Sequence, residues 1–291
     1  MSKVIGQYFG LFHGCSKHHF DKIVAAAPFD HCNLLILAFV HVADMGGGMY
    51  GPAFANTRDN CFNKGKALAG DTDEDRIKLV LAKARSENPT LKILLSLGWY
   101  NEVVRASQHP EFFAKELGEW AMGYGLDGFD IDWEDTPNTE RIPDPFGPAD
   151  FVKLMQCVQK EFPMGTDAPP IFTITPAMER ALDKSVLDCF TYVMPQTYSH
   201  GGNETTVTPY YNILNSYQKI VYGLSGEGYK APSDYEPDNP AQYARGVKNN
   251  GAADFFRGAW TPTPCARNRR RASRKVTTSS RHSTSPTGCG T

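Results

Sequence analysis

Between residues 127 and 135 the chain reads DGFDIDWED, a run of five acids interleaved with Phe129, Ile131 and Trp133. Alternation with period two is the pattern of a β-strand, whose successive side chains point to opposite faces. Asp130, Asp132 and Glu134 then share one face with Gly128, and the three apolar residues take the other. Carboxylates crowded on one buried face repel one another and lose solvation, so a purely structural strand would not carry them. Such coupling raises the pKa of at least one member, which keeps a carboxylic acid protonated near neutrality and able to donate a proton. The row is read as acid–base equipment. A solvated edge strand and a divalent-cation site are the competing readings. No His or Asn cluster accompanies the acids, and neither a metal nor a cofactor is expected. Asp127, of opposite parity, and Asp135, past the run, are read as framing.

The elements that must position this row recur along the chain. Eight short apolar runs lie at 4–10, 34–42, 92–99, 128–134, 171–178, 192–199, 219–227 and, more weakly, 251–260. Segments with apolar residues at three-to-four spacing fall between them at 73–87, 110–125, 148–162 and 239–251. Two of these begin with Pro near the first turn and two run into Gly, as helix boundaries do. Strand–helix alternation repeated about eight times implies a parallel sheet closed into a (β/α)8 TIM barrel. An open doubly wound sheet would carry a Gly-rich phosphate turn after an early strand, and none is present. In a barrel the apolar set of the acidic strand packs under the helices and the carboxylates face the axis. The long connection 43–73 would then lie over the C-terminal mouth, where such barrels build their sites.

DGFDIDWE at 127–134 resembles the signature of family 18 glycoside hydrolases, the chitinase and endo-β-N-acetylglucosaminidase family, which reads Asp-Gly-x-Asp-x-Asp-x-Glu on barrel strand four. SLGW at 96–99 resembles the Ser-x-Gly-Gly motif of strand three, with Trp99 where the second Gly is usual. MPQTY at 194–198 resembles the strand-six motif that supplies a Gln or Met and then a Tyr. The resemblance implies retaining hydrolysis of β-1,4 linkages in N-acetylglucosamine-containing glycans, chitin oligomers first, with the substrate's own acetamido group as nucleophile. By it, Glu134 is the general acid and then the base, Asp132 holds the acetamido N–H, Asp130 tunes Asp132, and Tyr198 aligns the acetamido carbonyl. Gln196 and Met194 line the substrate site, and Tyr8, Trp99 and Trp260 are the aromatic contacts for sugar. The alternatives on the same fold are an endo-β-N-acetylglucosaminidase acting on the chitobiose core of N-glycans and a non-catalytic chitin-binding lectin. The presence of Glu134 counts against the lectin.

Net charge is −2, but residues 261–291 hold seven Lys or Arg and no acid, so the first 260 residues carry 23 basic against 32 acidic side chains. An acidic body excludes nucleic acid as the expected partner of the barrel. Seven scattered cysteines without a CxxC make a poor disulfide framework. No apolar run reaches membrane-span length, and the N-terminus lacks a signal-peptide pattern. The expectation is a monomeric cytoplasmic protein with the catalytic barrel at 1–260, extracellular if an export signal is missing from this chain. The tail 261–291, with five apolar residues, is expected to be disordered or frameshifted. AWTPTP can be encoded so that a two-nucleotide shift reads Leu-Asp-Thr-Asp-Thr, closer to the strand-eight ending of the resembled family. An altered eighth β/α unit is therefore expected.

Overall fold

The eight apolar runs become eight parallel strands, and their alternating residues divide between two cores. The computed structural model describes residues 4–12, 17–54, 70–135, 146–162, 168–197, 203–224 and 254–257. The strands are β1 (Ile5–Gly10), β2 (Leu34–Asp44), β4 (Lys92–Gly98), β5 (Gly128–Trp133), β6 (Ile171–Pro176), β7 (Tyr192–Val193), β8 (Val221–Leu224) and β9 (Asp254–Arg257). A short β3 (Tyr50–Ala53) pairs antiparallel with the end of β2 and stands outside the ring. Hydrogen-bonded order runs β7-β6-β5-β4-β2-β1-β9-β8, and a bridge from Val193 to Ile220 brings β7 against the start of β8. Ile5 pairs with Phe255 on the far side, so the sheet curls back on itself.

The helices are α1 (Lys17–Ala26), α2 (Asp73–Glu87), α3 (Tyr100–Gln108), α4 (Pro110–Tyr124), α5 (Pro148–Glu161), α6 (Lys184–Asp188) and α7 (Asn203–Leu214). Three match the periodic segments read from the sequence, and their ends follow local chemistry. Proline opens α4 and α5, where its missing N–H costs no hydrogen bond. Gly125 closes α4 in the left-handed conformation at φ 63°. Helices α1, α3, α6 and α7 were not marked by periodicity, because 5–12 residues hold too few turns for the pattern to stand out. The periodic segment 239–251 lies outside the described residues, as does the tail 261–291.

Parity along the strands sorts the two cores. Phe129, Ile131 and Trp133 of β5 are fully buried in the outer layer, between strands and helices, beside Phe113 of α4 and Phe151 of α5. The inner cluster inside the ring is smaller and joins Tyr8, Leu34, Ile36, Leu94, Met194 and Val221. The eighth parallel strand, β9, has four residues, and the residues that follow it lie outside the described ones. The connection 43–73 is in part regular. β2 runs on to Asp44, turns through Gly46, Gly47 and Gly48, all at positive φ, and returns as β3. Residues 55–69 lie outside the described residues.

Asp127 has the framing position its parity implied. At the entry to β5 it accepts from Lys92 Nζ at 2.9 Å, Arg85 Nη2 at 3.0 Å and Ile93 N–H at 3.0 Å. Losing all three would leave two cations and a backbone donor without their shared acceptor. Asp127→Ala is expected to lower the unfolding free energy by about 1–3 kcal/mol in a urea titration. An unchanged midpoint would show that the network frames nothing.

Candidate active site

The site is assembled by register. β5 lies between β4 and β6, with Ser96 opposite Asp130 on one side and Thr173 on the other. One step further along, Asp132 lies between Gly98 and Thr175. Gly128 starts the inward row because a Cβ there would collide with the Ile171 carbonyl. Gly98 of SLGW lets the Phe39 ring approach, since a Cβ would meet Phe39 Cδ1 at 3.0 Å.

The three acids form a gradient from barrel interior to mouth. Asp130 is fully buried; its Oδ2 lies 2.5 Å from Tyr8 Oη and 2.6 Å from Ser96 Oγ. Its Oδ1 accepts from Thr173 Oγ1 at 2.5 Å and lies 3.3 Å from Thr175 Oγ1. Burial pushes the Asp130 pKa up to about 6, against the pull of those hydroxyls. Asp132 is 5% exposed, and burial, then the charges of Glu134 and Asp130, hold its carboxyl well above the ordinary range. Glu134, just past the end of β5, is half-buried.

Glu134 is held from both sides. Its Oε1 accepts the Trp99 indole N–H at 2.8 Å, and its Oε2 lies 3.2 Å from Gln196 Nε2. The same Gln196 nitrogen donates to Asp132 Oδ1 at 2.8 Å and so bridges the two acids. The Glu134 carbonyl accepts from Tyr100 N–H at 2.8 Å, and the Asp132 carbonyl from Trp99 N–H at 2.9 Å. The start of α3 therefore continues the β4–β5 ladder and locks the backbone on which Glu134 stands.

The residues singled out in the sequence divide by position. Asp132, Glu134, Gln196 and Trp99 are joined by hydrogen bonds toward the mouth, with Asp130 beneath them. Tyr8 is a correction: it is 7% exposed, and its hydroxyl sits between Asp130 and Thr175, 2.6 Å from the latter. It supports the acids from below and offers no face to a sugar. Burial, followed by the charges of Asp130 and Asp132, raises its pKa well above the ordinary tyrosine value, so it stays a donor. Met194 is a second correction, fully buried in the inner cluster: it directly follows Val193, the last residue paired with β6, and points into the ring. Tyr198 and Trp260 lie outside the described residues. The hydroxyls of Thr173 and Thr175 were missed. The signal was present in IFTITP, where polar residues alternate at inward parity in an apolar strand. Phe39 and His41, which pack on Trp99 at 5.4 and 5.7 Å, carried no such signal. Among the described residues no group of three or more His, Cys, Asp or Glu is arranged to hold a metal.

Fold and site together define a parallel β/α barrel with a column of acids on its fourth parallel strand. The chain belongs to glycosyl hydrolases family 18, whose pattern it matches over residues 5–222. It is 31% identical to an endochitinase of Brugia malayi over 114 residues, 37% of this chain and 20% of that protein. It is 34% identical to chitinase A1 of Niallia circulans over 85 residues, 26% of this chain and 12% of that protein. The matched stretches thus cover a fifth or less of these curated relatives. Among solved structures, a chitinase from Bacteroides thetaiotaomicron superposes with a TM-score of 0.59 at 16% identity, covering 89% of this chain and 90% of the other.

The raised Asp130 pKa makes stability depend on pH. An unfolded aspartate titrates near 3.8 and the folded one near 6, so the native state holds the extra proton between those values. This contribution is complete below the unfolded value and is lost as pH rises through the folded one, on the order of 3 kcal/mol in all. Asp130→Asn is expected to flatten this part of the urea-stability curve between pH 4 and 6. An identical slope in the variant would assign the titration to another group.

Proposed function

We propose that this chain is a chitinase-type glycoside hydrolase that cleaves N-acetylglucosamine oligomers with retention, using the substrate's acetamido group as nucleophile. The observation that carries this reading is the row from Asp130 through Asp132 to Glu134, graded from full burial to partial exposure at the barrel mouth. A retaining glycosidase with a protein nucleophile needs two carboxyl groups flanking the scissile bond. Here the acids stand in one column on one strand, which suits chemistry in which the second oxygen nucleophile comes from the sugar.

In the first step Glu134 gives its proton to the glycosidic oxygen as the C1–O bond breaks, and the acetamido oxygen closes on C1. The resulting oxazolinium ion is positively charged, and the Asp132 carboxylate accepts its N–H and balances that charge. In the second step Glu134, now ionised, takes a proton from water as the water oxygen attacks C1 and the acetamido group reopens. Two inversions give net retention. Asp130 sits beneath Asp132 as a buried negative site whose charge biases how protons distribute along the column. Tyr198 is assigned the hydrogen bond that aligns the acetamido carbonyl for attack.

Glu134→Gln is expected to abolish release of products from chitotetraose while leaving the fold and oligosaccharide binding intact, checked by circular dichroism and calorimetry. Full hydrolysis by this variant would remove Glu134 from its role. Tyr198→Phe is expected to retain partial activity, reduced by roughly a hundredfold, as for loss of one transition-state hydrogen bond. Chitin oligomers and a high-mannose glycopeptide offered in parallel distinguish chitin from N-glycan cores as substrate, since both carry the required acetamido group.

A further inference from the structure

The position of Trp99 is the least expected feature of the mouth. Its backbone lies at φ 72° and ψ 149°, a region that side-chain-bearing residues rarely occupy, and it stands where the resembled motif carries glycine. A large side chain kept in a glycine conformation calls for a function, and its contacts indicate one. The indole N–H reaches Glu134 Oε1 at 2.8 Å, a well-formed hydrogen bond for a nitrogen donor. The ring cannot swing freely: Phe39 packs on it at 5.4 Å and His41 at 5.7 Å, and Phe39 is itself stacked on Phe12 at 5.9 Å. Its backbone N–H is tied to the Asp132 carbonyl.

We propose that Trp99 is a positioning residue for the acid–base carboxylate, its indole N–H fixing one oxygen of Glu134 while Gln196 faces the other. Resting on the hydrolytic reading above, this assigns the indole a task distinct from stacking on sugar. The indole N–H can donate but cannot accept, so it holds Oε1 in place without exchanging a proton with it. It also holds the group in one rotamer between the two steps, so the same oxygens serve as acid and then as base. The charged and titratable groups around this pair are Asp132 and Asp130 on β5, Tyr8 on β1, His41 on β2, and Glu102 with Arg105 on α3. Asp135 follows Glu134, and the Arg180 guanidinium lies over the adjacent Tyr100 ring. None of these donates to Glu134 Oε1 among the hydrogen bonds of the described residues.

The test reads the indole directly. The chain has four tryptophans, so a 15N-labelled sample gives four indole N–H signals, and Trp99→Phe identifies the one that belongs to Trp99. That signal is expected to shift with pH as Glu134 titrates and to lose this shift in Glu134→Gln. A Trp99 signal that stays flat in the wild type, or that titrates identically in Glu134→Gln, overturns the proposal. In kinetics, Trp99→Phe keeps the ring and removes the donor. On chitotetraose kcat is expected to fall about tenfold with KM within about twofold. A raised KM with an unchanged kcat would make Trp99 a sugar platform and also overturns the proposal. If the wild type hydrolyses no acetamido glycan, the hydrolytic reading fails, and the indole titration still decides the contact to Glu134.

Discussion

The site depends on one buried carboxylate. Asp130 has no exposure to water, and four hydroxyls from three other strands gather around its two oxygens: Tyr8 from β1, Ser96 from β4, and Thr173 and Thr175 from β6. A charge taken out of water needs this many donors, because each unsatisfied lone pair in a low-dielectric interior is costly. The donors in turn stay in place because strand register puts Ser96 and Thr173 directly beside the acid. Register, hydroxyl positions and the Asp130 carboxylate therefore specify one another. The ring interior is polar at this level and apolar around it, which separates the column of acids from the inner cluster of Leu34, Ile36 and Leu94.

Above that base, each acid has the environment its position allows. Asp132 lies between two other acids and, being nearly as buried as Asp130, retains a proton more readily than a free aspartate. Glu134 reaches the partly open mouth, where a substrate oxygen can approach and a proton can leave. Gln196 joins the upper two acids through a single nitrogen, so a change at one carboxylate is felt at the other. Three acids of similar intrinsic strength thus acquire different properties from depth alone.

The start of α3 shows how secondary structure and chemistry share residues. Trp99 follows the last residue of β4, stands at the N-cap of α3, and ties its backbone to Asp132 and its ring to Glu134. Tyr100, the first helical residue, ties its N–H to the Glu134 carbonyl. A carboxylate set on a flexible loop would sample many orientations. Here it stands one residue beyond a strand and is held by the adjoining helix.

The sequence alone determined the acidic row, its parity, the order of the strands and three of the helices. These are properties of residues near one another in the chain, where a period of two or about 3.6 is visible in a window of a dozen residues. Asp127 could be separated from the three inward acids on the same basis. What only the tertiary structure decided is which distant groups meet. Tyr8 lies 122 residues from Asp130 and Gln196 lies 62 from Glu134, and nothing local to either records the pairing. The roles of Tyr8 and Met194 changed for that reason: both were read as substrate contacts, but depth in the barrel, set by the register of neighbouring strands, put them beneath the mouth. The contact of Trp99 with Glu134 needed the most structure of all, because it depends on a backbone angle, on two packed aromatic rings, and on where a neighbouring strand ends.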